Sequence, residues 1–163
     1  MTYSLEDFSS RQFQHPMRNP QGSSLRFNLC SSPASSMPTC SNDKSPTCLI
    51  MPGVKPTSTG TLPRVEQLEP HIPGEGFKLI FEEGETCEVT KRPRVTIISF
   101  PCNPNTNYKA LHLAPRLAYE GQKGDICRYY VEFPPTQFGC PVDIAETGRS
   151  QLHQPKPEIW AGT

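Results

Sequence analysis

The sequence predicts an antiparallel all-β sandwich or flattened barrel stapled by disulfides. Short runs of β-branched and aromatic residues recur, the strongest being Val95 to Phe100 and Arg128 to Phe133. Nineteen prolines and eleven glycines among 163 residues make long helices improbable. Of the seven cysteines, Cys87, Cys102, Cys127 and Cys140 flank those two runs. Small β domains with thin cores are held together in this way.

Taken in order, Tyr3 to Phe8 fits an edge strand. The polar run through Pro16, Pro20 and Gly22 reads as a loop or hairpin turn. Leu25 to Cys30 alternates, with Leu25, Phe27 and Leu29 on one face, so it reads as a half-buried strand. Ser and Pro dominate 31–47, and the eight-residue step from Cys40 to Cys48 suits a small disulfide-closed loop. Cys48 to Met51 is a short strand, and 52–62 is turn chemistry. Pro63 interrupts pairing and leaves Arg64 to Leu68 a weak strand. Phe77 to Phe81 is a strand and Glu82 to Glu85 its turn. Asn103 to Asn107 is a loop, and Leu111 to Ala118 is ambiguous because Pro115 interrupts it. In the two strong strands alternate residues should be buried, Ile97 and Tyr130 among them. From Ile144 onward there is little periodicity and little beyond Trp160 to bury. The pattern holds no repeat, no parallel sheet and no long helix. It places one domain over 1–143 and a flexible tail or linker over 144–163.

Composition narrows the function. Sixteen basic residues balance sixteen acidic ones, which argues against a nucleic-acid partner and against a polybasic membrane patch. A 34% hydrophobic fraction argues against a large core. The first twenty residues carry Glu6, Asp7, Arg11, His15 and Arg18 and no apolar stretch, so no signal peptide is visible. No run approaches the roughly 18–20 apolar residues that span a bilayer. The cysteine spacings are 10, 8, 39, 15, 25 and 13, with no Cys-x-x-Cys pair. Zinc sites want ligands two to four residues apart, so disulfides are the reading and no metal is expected. His15, His71, His112 and His153 fall in loops or tails with no nucleophile signature. The chain therefore reads as no enzyme and as needing no cofactor. An odd number of cysteines leaves one without a partner in this chain.

The block 79–141 resembles a mannose 6-phosphate receptor homology domain, and most narrowly the repeats of the cation-independent mannose 6-phosphate receptor. Leu79 leads through GETC (Gly84 to Cys87) to RPRVTIISFPCN (Arg92 to Asn103) and then CRYYVEFPPTQFGCP (Cys127 to Pro141). These follow the family's order of strand, Gly-Gly-x-x-Cys turn, arginine-led strand and tyrosine-bearing strand. Tyr3-Ser4-Leu5 is similar to the family's opening, and FNLC with two following cysteines to its next segment, so the likeness covers about 3–142. Phe133-Pro134-Pro135 lacks the family's Trp.

The resemblance implies a flattened barrel of two orthogonal antiparallel sheets. It implies disulfides Cys87–Cys127, Cys102–Cys140 and Cys40–Cys48. Cys30 is then unpaired, because its family partner precedes the point where this chain starts. The family binds mannose through a Gln, an Arg, a Glu and a Tyr. Arg offers a rigid donor fork and Glu two acceptors, which together match adjacent hydroxyls. By offset from the cysteines, Arg94 takes the Arg position and Tyr129 the Tyr position. Glu120 takes the Glu position, with Asp125 a poorer second. Leu49 stands where the Gln is usual, and Gln67 is a remote substitute. His112 reads as an ordinary loop residue.

The implied function is a luminal receptor domain of a lysosomal-enzyme sorting receptor, in the Golgi, endosome or lysosome or at the cell surface. It would bind mannose-type or phosphomannosyl N-glycans of lysosomal enzymes, or protein cargo, or serve as a non-binding structural repeat. Membrane attachment would come only through the parent protein. The alternatives are a lectin domain of an endoplasmic-reticulum glycan-processing or quality-control complex, and the luminal domain of a trafficking factor of the autophagy type.

Overall fold

The computed structural model describes residues 2–4, 12–17, 22–29, 45–106, 116–119, 127–142 and 158–160. Among these the strands are β1 Thr2–Ser4, β2 Gln12–Pro16, β3 Ser24–Asn28, β4 Thr47–Ile50, β5 Thr57–Gly60 and β6 Leu62–Gln67. They continue as β7 Gly76–Glu82, β8 Val95–Pro101, β9 Arg116–Tyr119, β10 Arg128–Glu132 and β11 Glu158–Trp160. A five-stranded sheet runs in the order β6-β7-β8-β10-β9, and a four-stranded sheet runs β2-β3-β4-β5. β1 pairs with β11, so part of the expected tail is a strand. The result is a flattened two-sheet β fold, as the sequence predicts.

The inner faces follow the period-two pattern. Phe77, Leu79 and Phe81 of β7 are buried with Thr96, Ile98 and Phe100 of β8 and with Tyr129 and Val131 of β10. Phe133, just past β10, is buried with them. Phe13, Leu25, Phe27, Leu29 and Leu49 meet them from the other sheet. Phe133 stacks on Phe100 with centroids 4.8 Å apart and meets Phe13 edge-on at 5.1 Å. Of eight phenylalanines, seven (Phe13, Phe27, Phe77, Phe81, Phe100, Phe133 and Phe138) are buried. Phe8 lies outside the described residues. Large aromatic side chains thus offset the low apolar fraction.

Several expectations change. Ile97 is buried, 7% exposed, but Tyr130 is only half-buried. Alternation on β10 turns Tyr129 inward and leaves Tyr130 opposite Ile97 on the outer face. β8 and β10 also pair in parallel. Parallel neighbours need a crossover of about a dozen residues or more. The segment 102–127 between Pro101 and Arg128 is long enough to supply one.

Turn chemistry is not all that 52–62 contains. β5 is polar, and its place is fixed by hydroxyls: Ser58 Oγ is 2.6 Å from Ser45 Oγ, and Thr96 Oγ1 donates to Thr59 O at 2.9 Å. Pro63 does not stop β6 either. It faces Phe81 in register, and β6 is an edge strand, where a missing N–H is tolerated.

Two disulfides fasten the five-stranded sheet. Cys87 joins Cys127 with Cα atoms 6.1 Å apart, and Cys102 joins Cys140 at 4.5 Å, both in the ordinary range. Cys48 is disulfide-bonded as well. The expected Cys40–Cys48 link and the unpaired Cys30 involve cysteines outside the described residues.

Candidate functional site

Parallel pairing puts the starting ends of β8 and β10 side by side. Val95 faces Arg128, and Thr96 faces Tyr129. Val95 N–H donates to Cys127 O at 3.3 Å. Arg94, one residue before β8, therefore reaches the entry of β10. Its Nη1 donates to Tyr129 Oη at 2.6 Å and lies 3.2 Å from Cys127 Sγ. Sequence places Arg94 and Tyr129 together only through the family likeness. The structure joins them directly.

Tyr129 is 3% exposed and Arg94 half-buried. Burial pushes the Tyr129 phenol above its ordinary 10.0, and the charge and hydrogen bond of Arg94 act against this. The phenol accepts from Arg94 and so keeps its own proton to donate. Arg94 Nε is buried and has no hydrogen-bond partner among the described residues.

The other candidates part company. Glu120, Asp125 and His112 lie outside the described residues. Leu49 is a core residue, 5% exposed. Gln67 accepts a 2.8 Å hydrogen bond from Tyr3 Oη. It sits in the Phe77 and Phe100 row, six residues along β8 from Arg94, roughly 20 Å at about 3.3 Å per residue. It lies too far away to touch the same sugar ring as Arg94. Among the described residues no His, Cys, Asp or Glu group of three or more is placed to hold a metal ion.

Sequence reasoning missed how Arg94 is framed. Gly84 N–H donates to Arg94 O at 2.9 Å, and Arg94 N–H donates to Glu85 O at 3.1 Å. Two residues thus face one, as in a β-bulge, a feature that re-aims side chains beside functional sites. A Cβ on Gly84 would lie 2.8 Å from Arg94 O, Ser58 O and Thr59 C, so the position needs glycine for close approach. The Gly in GETC hints at this, but its contacts on β5, 25 or more residues earlier, leave no mark in the sequence.

The chain is similar to domain 11 of the echidna mannose 6-phosphate/insulin-like growth factor 2 receptor, with a TM-score of 0.57 at 13% identity over 87% of this chain and 85% of that one. It is also similar to the MRH domain of Yos9 complexed with alpha3,alpha6-Man5, with a TM-score of 0.45 at 12% identity over 81% and 79%. No protein-family model matches it, and no curated protein does. The chain has the fold of a mannose 6-phosphate receptor homology domain.

Proposed function

We propose that this chain is a luminal carbohydrate-recognition domain of a lysosomal-enzyme sorting receptor, taking mannose-type N-glycans, plain or phosphorylated, at Arg94. The observation that supports this is the 2.6 Å contact between Arg94 Nη1 and Tyr129 Oη. It couples the two residues assigned to sugar binding. Arg94, the more exposed of the pair, presents the Nη N–H groups that Tyr129 does not engage to a sugar hydroxyl. Tyr129, nearly enclosed, fixes the guanidinium from behind. Glu120 is the proposed acceptor for the same sugar. Disulfides suit an oxidising lumen, and no described helix is long and apolar enough to cross a membrane.

Leu49 supports a weak site. It belongs to the core, so no amide stands at the fourth position. A lost hydrogen bond costs roughly 1–3 kcal/mol, about ten- to hundredfold in affinity. Dissociation constants on the order of millimolar follow. The same residue favours the second reading, a structural repeat that binds no sugar.

A glycan array probed with the wild type, Arg94→Ala and Arg94→Lys tests the proposal. Weak mannose-class signals that vanish with alanine are expected, with lysine poor because it lacks the fork. Tight binding that survives Arg94→Ala would move the ligand elsewhere on the surface. No signal from the wild type favours the structural repeat.

A further inference from the structure

We infer that Glu85 is the positioning residue of the Arg94 site. It acts through the backbone, coupling β5 of the four-stranded sheet to the guanidinium. Glu85 N–H donates to Ser58 O at 2.9 Å, and Ser58 N–H donates to Glu85 Oε2 at 2.7 Å. The carboxylate thus stands in for a strand carbonyl and closes a two-point link to the open edge of β5. The carbonyl of the same residue receives the Arg94 N–H. Ser58, Glu85 and Arg94 form a chain from one sheet to the other. Gly84 allows it by bringing Ser58 O and Arg94 O within 2.8 Å of its would-be Cβ.

This frame matters because the guanidinium is held at one corner. Nη1 serves both Tyr129 Oη and Cys127 Sγ, while Nε has no hydrogen-bond partner among the described residues. The backbone at Arg94 therefore decides where the fork points. Without the Glu85 carboxylate, Ser58 N–H loses its acceptor and the two-point link falls to the single Glu85 N–H to Ser58 O bond, so that residue 85 can pivot and Arg94 with it. The role needs an acceptor of the right length and not a charge.

The consequence for ligand binding rests on the carbohydrate reading, but the first readout needs no ligand. Nuclear magnetic resonance follows hydrogen exchange at the Arg94 amide and the Arg94 Nε–H signal. Glu85→Ala should speed Arg94 amide exchange about tenfold, the worth of one hydrogen bond, and broaden the Nε–H signal. Glu85→Gln, which keeps an acceptor at the same reach, should restore both. Thr61→Val is the stability control. It removes the 3.3 Å bonds from Thr61 Oγ1 to Glu82 O and Glu83 O and should lower the melting temperature while leaving Arg94 unchanged. Glu85→Asp, one methylene too short, gives the same contrast should the alanine variant not fold.

The inference is overturned if the Glu85 variants change Arg94 no more than Thr61→Val does. It is also overturned if Glu85→Gln behaves as Glu85→Ala. Where the wild type binds a mannoside, Glu85→Ala should weaken binding by a similar tenfold. A protein that binds no mannoside but still loosens Arg94 in Glu85→Ala upholds the positioning role and overturns the carbohydrate reading.

Discussion

Tyr129 is enclosed, yet its hydroxyl meets the one guanidinium at this end of the sheet that the family likeness singles out. Tyr129→Phe keeps the ring in the core and removes the acceptor of Arg94 Nη1. A loss of about 1 kcal/mol in denaturant unfolding is expected, the net worth of one hydrogen bond, since Nη1 keeps Cys127 Sγ. The phenol also sets a pH response. Its pKa is higher in the folded chain than the usual 10.0, chiefly through burial, so the folded state holds this proton better than the unfolded state. The resulting stabilisation is complete below about pH 10 and is lost as pH rises through the folded value. Burial raises Tyr3 in the same direction. Melting temperature should therefore fall above about pH 10, and less steeply in Tyr129→Phe. An equally steep fall in that variant would assign the effect elsewhere. At this scale the pairing of Arg94 with Tyr129 could be anticipated only from the offsets to the cysteines that the family likeness supplies. Glu85 could not be anticipated, because an acid in a turn looks like any solvated charge until its partner Ser58 is known.

Strands with apolar alternation were legible as elements. β3, β7, β8 and β10 are strands where the sequence puts them, but on β10 the buried set is Tyr129 and Val131 and not the expected Tyr130. Ile98 has no exposure and stands mid-strand in β8, so Ile98→Ala should cost roughly 2–5 kcal/mol. Tolerance of that change in chemical denaturation would contradict the assignment of inner and outer faces. β5 was illegible and β6 legible only as a weak strand, for opposite reasons. β5 is placed by buried hydroxyl bonds that a hydropathy pattern ignores, and β6 survives its proline because it lies at an edge. The parallel match of β8 to β10 is a tertiary outcome with no local marker, yet it brings Arg94 to Tyr129. Gly84→Ala tests the bulge that frames them. Its Cβ would press on three backbone atoms at 2.8 Å, and overpacking of this kind costs about 1–3 kcal/mol. Unchanged stability would mean the close approach is not required.

Across the whole molecule, disulfides and an aromatic core share the work. Cys87–Cys127 closes a 40-residue separation, which the chain-entropy model values at about 4 kcal/mol. That is comparable to the net stability of a small domain. Replacing both cysteines with alanine should therefore unfold much of the population near body temperature, seen as loss of the cooperative thermal transition. A melting point within a few degrees of the wild type would show that the phenylalanine stack suffices. The fold class was legible because strand runs, proline density and cysteine order point the same way. The closing strand β11 was not, because three residues far from their partner β1 carry no period. The most direct test of the carbohydrate account is a titration of the isotope-labelled domain with methyl α-mannoside, followed by amide and side-chain resonance shifts. The account predicts saturable shifts on the order of millimolar ligand, centred on Arg94, Val95 and Arg128–Tyr129 and absent in Arg94→Ala. Shifts centred elsewhere, or unchanged in Arg94→Ala, would contradict it.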